Sequence, residues 1–212
     1  MATTTIDNET ELSAVNSILG SIGQSPLTTT SLDYTNPEIT IIYNFLREAN
    51  IDTQSEGWHF NTEHHVTVDK DSNNKFPLPS NVLRYDVSEG QVFRTYDVIT
   101  KYDSGTAYLW DKVNHSYTFN NIDSLDLDIV YLYAFENIPM VFRRYITQRA
   151  GVKAATQLVS NSELVQLLQS QEALARAGIM EYECNQGDHS FMGWPDESAY
   201  RSYQPYRGLR RT

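Results

Sequence analysis

The stretch Asp126-Leu-Asp-Ile-Val-Tyr-Leu-Tyr133 sets carboxylates against aliphatic side chains, Asp126 and Asp128 against Leu127 and Ile129, which is the alternation of a half-buried strand. A little further on, in Asn137-Ile-Pro-Met-Val-Phe-Arg-Arg-Tyr-Ile-Thr-Gln-Arg-Ala150, the period lengthens. Val141, Phe142, Tyr145 and Ile146 now recur at helical spacing behind Pro139. The change of period marks the end of a β block and the start of a helical one. Upstream, residues 57–132 are short runs of Val, Ile, Tyr, Phe, Trp and Thr separated by Asp-Ser-Asn-Asn, Pro-Leu-Pro, Ser-Glu-Gly and Asp-Ser-Gly clusters. They predict strands at Trp58–Val68, Val82–Asp86, Val92–Thr95, Val98–Tyr102, Thr106–Lys112, Tyr117–Phe119 and Asp126–Tyr133. Connections this short make the pairing mainly antiparallel.

Before the β block the pattern is again helical. Leu12, Val15, Ile18, Leu19 and Ile22 predict a helix over 9–22, with an N-terminal cap in Asn8-Glu-Thr-Glu11 and a stop at Gly23 and Pro26. Asn36-Pro37 predicts a second start, followed by Ile39, Ile42, Tyr43, Leu46, Ala49 and Ile51 and running to about Glu56. After the block, the helix behind Pro139 continues through Val152, Leu158 and Val159. Ser160-Asn-Ser-Glu163 reads as a capping box for a last helix whose stripe is Leu164, Leu167, Leu168, Leu174, Ile179 and Tyr182. The expected fold class is α+β, a helical bundle formed from the N- and C-terminal helices with an inserted, mainly antiparallel β domain and an extended C-terminal tail. The corresponding boundaries are 1–56, 57–136, 137–184 and 185–212.

The chain has 212 residues, 40% of them hydrophobic, with 16 Lys+Arg against 27 Asp+Glu and a net charge of −11. A core can be buried at that size. One cysteine, Cys184, excludes an internal disulfide and a four-cysteine zinc site. No apolar run reaches membrane-spanning length and Met1–Asp7 has no secretory pattern, so neither membrane insertion nor export is expected. Residues 1–136 hold 7 Lys+Arg and 20 Asp+Glu, a net of −13, while 137–212 hold 9 and 7, a net of +2. An acidic body of this kind does not bind DNA tightly, since phosphate neutralisation needs clustered cations.

No catalytic constellation emerges. Gly20-Ser-Ile-Gly23 lacks the Lys and Ser/Thr of a phosphate loop. Asp69-Lys-Asp71-Ser-Asn73 begins like a calcium loop, but Asn74 and Ser80 replace the required Gly and Glu, which leaves a solvated hairpin turn. On an extended strand His59 and His65 share one face about 20 Å apart and His64 takes the other, which excludes a shared metal. Glu181 and Glu183 beside Cys184 disfavour a thiolate nucleophile. Asp123, Asp126 and Asp128 read as the solvated side of a strand, although carboxylates facing across a cleft would suit glycoside hydrolysis. No cofactor or metal site is expected. The tail differs: Phe191, Trp194, Tyr200, Tyr203 and Tyr206 interleave with Arg201, Arg207, Arg210 and Arg211. Those residue types make interface hot spots or single-strand nucleic-acid platforms, and Asp188, Asp196 and Glu197 tilt the reading toward protein docking. The candidate partner-binding residues are Trp194, Tyr200, Arg201, Tyr203, Tyr206, Arg207, Arg210 and Arg211.

Three separated motifs, Glu11–Pro26 (ELSAVNSILGSIGQSP), Ser55–Asn61 (SEGWHFN) and Asn137–Ala150, resemble the tail tubular protein A family of short-tailed bacteriophages, and the likeness runs in order over about residues 9–185. The resemblance implies a structural, non-enzymatic virion protein, the head-to-tail adaptor. It implies a dodecameric ring between the portal protein and the hexameric nozzle, tail tubular protein B, with tail fibres near that junction. Double-stranded DNA would pass through the ring without specific binding during ejection, and no membrane would be involved. It also implies assembly in the host cytoplasm, a virion-tail location and a helical bundle with a β domain. A tail-associated polysaccharide or peptidoglycan hydrolase is the alternative.

Overall fold

A computed structural model of the chain describes residues 9–27, 36–88 and 97–187. The fold is α+β. The chain divides into a helical unit, Met1–Thr62 with Val130–Tyr182, and a β unit, Glu63–Ile129 with Glu183–Thr212.

In the helical unit, α1 (Glu11–Ser21) starts at Thr10. The Thr10 hydroxyl accepts the Ser13 N–H and the Ser13 hydroxyl accepts the Thr10 N–H, a reciprocal cap that replaces the one expected from Asn8 and Glu11. Asn8 lies outside the described residues. Gly23 ends the helix at φ +78°, where its N–H reaches the Gly20 carbonyl and that of Gln24 reaches the Leu19 carbonyl. Helix α2 (Pro37–Gln54) begins with the Asn36 side chain accepting the Glu38 N–H and with Pro37 in the first turn, as the sequence predicts. Helix α3 (Met140–Ala154) follows Pro139, widens into a π-helical turn at Ala155–Val159, and stops at Ser160, whose φ is +54°. Helix α4 (Ser162–Gly187) is capped by Asn161, whose side-chain oxygen accepts the Glu163 and Leu164 N–H groups. Ser160 is too far into the left-handed turn to serve, so the cap falls one residue later than the capping-box reading. Residues 185–187, expected in the extended tail, continue this helix.

The helices share one core: Val15, Ile18 and Leu19 from α1, Ile39, Ile42, Phe45 and Leu46 from α2, Phe142 and Ile146 from α3, and Ile179 from α4. Burial on this scale, at about 25 cal/mol per Å² of apolar surface removed from water, is the main stabilising term. Five expected apolar positions point outward instead: Ile51, Leu158, Val159, Leu167 and Leu174.

In the β unit, β1 (Thr62–Asp69), β5 (Ser124–Tyr131) and β2 (Val82–Val87) form a sheet in the order β1-β5-β2, and β3 (Val98–Asp103) pairs with β4 (Thr106–Asp111) in a second, antiparallel one. Leu125, Leu127 and Ile129 of β5 are buried while Asp126 faces out, the alternation read from the sequence. Phe76 and Phe119 complete the interior edge to face, ring centroids 5.0 Å apart. Two strand expectations fail. Residues 58–61 form a turn, because the Asn61 and Thr62 N–H groups return to the Trp58 carbonyl, so Trp58, His59 and Phe60 precede β1. At 117–119 the backbone is irregular: buried Asp111 accepts the Val113 N–H and the Asn114 amide, and that turn leaves only a single bridge, Asp111 to Ser116. The expected strand at Val92–Thr95 lies outside the described residues.

Candidate functional site

The polar groups singled out in the sequence are engaged with one another. The left-handed backbone at His65 (φ +57°) breaks the alternation of β1, so that His64 and His65 both meet β5 carboxylates where opposite faces were expected. His64 Nδ1 lies 3.4 Å from Asp128 and His65 Nδ1 3.0 Å from Asp126. Asp128 also accepts the His65 N–H at 3.0 Å and the Ser88 hydroxyl at 2.8 Å. The hydrogen bond and charge of Asp126 raise the His65 pKa above the usual imidazole value. Partial burial opposes the charge on Asp128, yet the His65 N–H, Ser88 and His64 together hold its pKa below the ordinary carboxylate range. Asp123 pairs with Lys70 at 2.6 Å, which lowers its pKa. Asp71 closes a tight turn, accepting the Asn73 and Lys75 N–H groups at 2.8 Å each. Among the described residues no group of three or more His, Cys, Asp or Glu could hold a metal ion. Cys184 is exposed on α4.

The concave surfaces are elsewhere. A recess of about 530 Å³ is lined by Phe60, Tyr133, Asn137, Ile138 and Pro139, with no ionisable group except the Tyr133 phenol. A groove of about 270 Å³ between α3 and α4 is lined by Val141, Arg144, Gln148, Gln171, Leu174, Ala175 and Gly178. Neither holds a carboxylate pair, so neither has the parts for acid–base hydrolysis.

Two clusters that the sequence does not announce organise the helical unit. Asn61, fully buried, accepts the Trp58 N–H at 2.8 Å and donates to the Gln54 and Tyr131 carbonyls at 2.9 Å each. Gln54, also fully buried, donates to the Tyr133 carbonyl and accepts the Tyr133 N–H. These two amides tie the end of α2 to the segment that leads into α3. The second cluster is Arg176 of α4, which forms two bonds with Glu56, at 2.6 and 3.1 Å, while lying 5.0 Å over Trp58 and 5.5 Å over Tyr145. Trp58 and Phe60 both pack on Phe142, at 5.0 and 4.6 Å. The Ser55–Asn61 motif is therefore the seat on which α3 and α4 rest. Trp194, Tyr200, Arg201, Tyr203, Tyr206, Arg207, Arg210 and Arg211 lie outside the described residues.

The two units are thus held by paired histidines and aspartates in one and by buried amides and the Arg176–Glu56 pair in the other. The chain matches the tail tubular protein family over residues 12–189 and belongs to that family. It is accordingly a structural component of the phage virion tail, acting in assembly with other tail proteins. Among the described residues no helix is long and apolar enough to cross a membrane. No curated protein matches the chain.

Proposed function

We propose that the chain is the head-to-tail adaptor of its virion: copies close into a ring, dodecameric in the related family, that joins portal to nozzle with the fibres attached near that junction. The family match over 12–189 carries this reading, since it spans both units of the chain. The charge distribution supports a role around passing DNA. A net of −13 in residues 1–136 supplies acidic groups that repel phosphate and keep a channel from holding its cargo. The aromatic and Arg-rich residues from Trp194 to Arg211 have the composition of a docking peptide for portal, with aromatic anchors and a guanidinium rim.

The test is co-sedimentation of the purified full chain with portal particles, beside a chain ending at Gly187. The full chain is expected to bind, and the shortened one to keep its circular-dichroism spectrum while losing portal. Equal binding by both would remove the docking role from residues 188–212. Absence of binding by the full chain, together with carboxylate-dependent turnover of capsular polysaccharide, would replace the adaptor reading with the hydrolase one.

A further inference from the structure

The solvent-facing half of α4 carries no charge over about four turns. Every exposed residue from Gln166 to Met180 is Gln, Ser, Ala, Leu or Met, while the two charged residues in that span, Glu172 and Arg176, are half-buried. Arg176 is taken up by Glu56. On this face Leu167 is 57% exposed and Leu174 75%, and the opposite side of the helix is anchored by Leu168 and Ile179 at 5% and 0%. In a chain of net charge −11, a long exposed surface free of charge stands out. Depletion of charge around apolar side chains is the compositional mark of an interface core.

Leu174 stands beside the groove between α3 and α4. At Gly178 a Cβ would meet no atom within 4 Å, so the groove stays open there to an incoming side chain. On the α3 side the exposed Arg144 forms no hydrogen bond or ion pair among the described residues, which leaves one free guanidinium beside an uncharged floor. This arrangement suits a partner with an apolar ridge and acidic flanks.

We propose that the partner is a second copy of this chain, seated on the Leu167–Leu174 face and the adjoining α3–α4 groove. The charges argue for it: the chain itself supplies the acidic surface that Arg144 lacks, and two copies of net charge −11 repel least where a helix face has no carboxylate. The footprint sets how the contact is used. Fourteen residue steps of helix, about 21 Å long and 10 Å wide, give roughly 200 Å², against about 800 Å² per partner in a stable stand-alone complex. The contact is thus one element of a repeated association, and this inference rests on the ring reading above.

The experiment is sedimentation of the full chain over a range of concentrations, with Leu174→Glu, Gly178→Phe and, on β3, Tyr102→Glu, a residue 74% exposed and away from this face. Leu174→Glu places a carboxylate on the apolar ridge, and Gly178→Phe fills the groove with the chain's own side chain. Both are expected to leave the thermal midpoint unchanged and to weaken self-association by at least about tenfold, while Tyr102→Glu leaves it intact. If wild type associates and the two α4 variants associate equally well, the face assignment is wrong and the ring reading stands. Equal loss in Tyr102→Glu would show general charge repulsion and also overturn the assignment. A wild type that stays monomeric at every concentration would overturn the ring reading itself, and this inference with it.

Discussion

Replacing Asn61 by Ala removes three hydrogen bonds of a fully buried side chain at once: the acceptor for the Trp58 N–H at 2.8 Å and the donor to the Gln54 and Tyr131 carbonyls at 2.9 Å each. At about 1 kcal/mol net for each bond the cost is about 3 kcal/mol. For a chain of this length that corresponds to a fall in melting temperature of about 6–12 °C. The readout is helical circular dichroism during heating and urea titration, because all four residues belong to the helical unit. A second substitution checks the cause. Asn61→Asp keeps the acceptor but turns an oxygen toward two carbonyl oxygens in a fully buried place, so burial and those oxygens oppose ionisation and raise the folded-state pKa. A carboxyl raised in this way leaves stability intact below its unfolded value, about 3.9, and loses it as pH climbs from there toward the folded value. Asn61→Asp should therefore approach wild type in acid and weaken toward neutrality, while the deficit of Asn61→Ala stays level. A loss under about 1 kcal/mol for Asn61→Ala, or an Asn61→Asp deficit that ignores pH, would show that the amide is not what holds this junction.

Arg176→Ala should cost about 1–2 kcal/mol in the same melt, mostly from the lost stacking on Trp58 and Tyr145 because the Glu56 pair is a third exposed, and Arg176→Lys should recover less than half. His65, titrated by NMR, should show a midpoint above 6.5 that falls in Asp126→Asn. The stability that this pair contributes is present below the unfolded imidazole value and lost as pH rises through the folded one. Gly23→Ala should lower stability by about 1 kcal/mol through backbone conformation alone, since φ is +78° and the space around the position is open; an unchanged melt would mean that α1 ends by other means.

The parts of the fold that are legible in the sequence are those set by near neighbours. Asn36-Pro37, Gly23 and the apolar spacing of α1, α2 and α3 act within a turn or two, and the alternation of β5 needs only its own residues. The Trp58–Asn61 turn is closed by local bonds, but the alternating Trp58 and Phe60 read as a strand, and the Tyr131 carbonyl that Asn61 also holds stands 70 residues away. His65 escapes prediction for a similar reason: its left-handed backbone is supported by Asp128 on another strand. In α4 the apolar spacing correctly predicts a helix. Spacing alone cannot separate Leu168, which packs inside, from Leu167 and Leu174, which face out. The missing signal was available in the run from Leu164 to Gln171, which has no charged residue at all. The paired histidines and aspartates show the reverse: residue types suggest chemistry, and the geometry spends them on holding two strands together.

The Tyr131 N–H donates to the Asn61 carbonyl at 2.8 Å, so the polypeptide departs from the helical unit and comes back to it on a single rung. Everything between those points is, to the helices, a loop whose ends are already pinned. Closing such a loop becomes harder only with the logarithm of its length, about 0.6 kcal/mol for each doubling. On that term alone, the helical core is nearly indifferent to the length of residues 63–129. Insertion or trimming inside that segment then adds little closure cost as long as Asn61 and Tyr131 keep the rung that pins its ends.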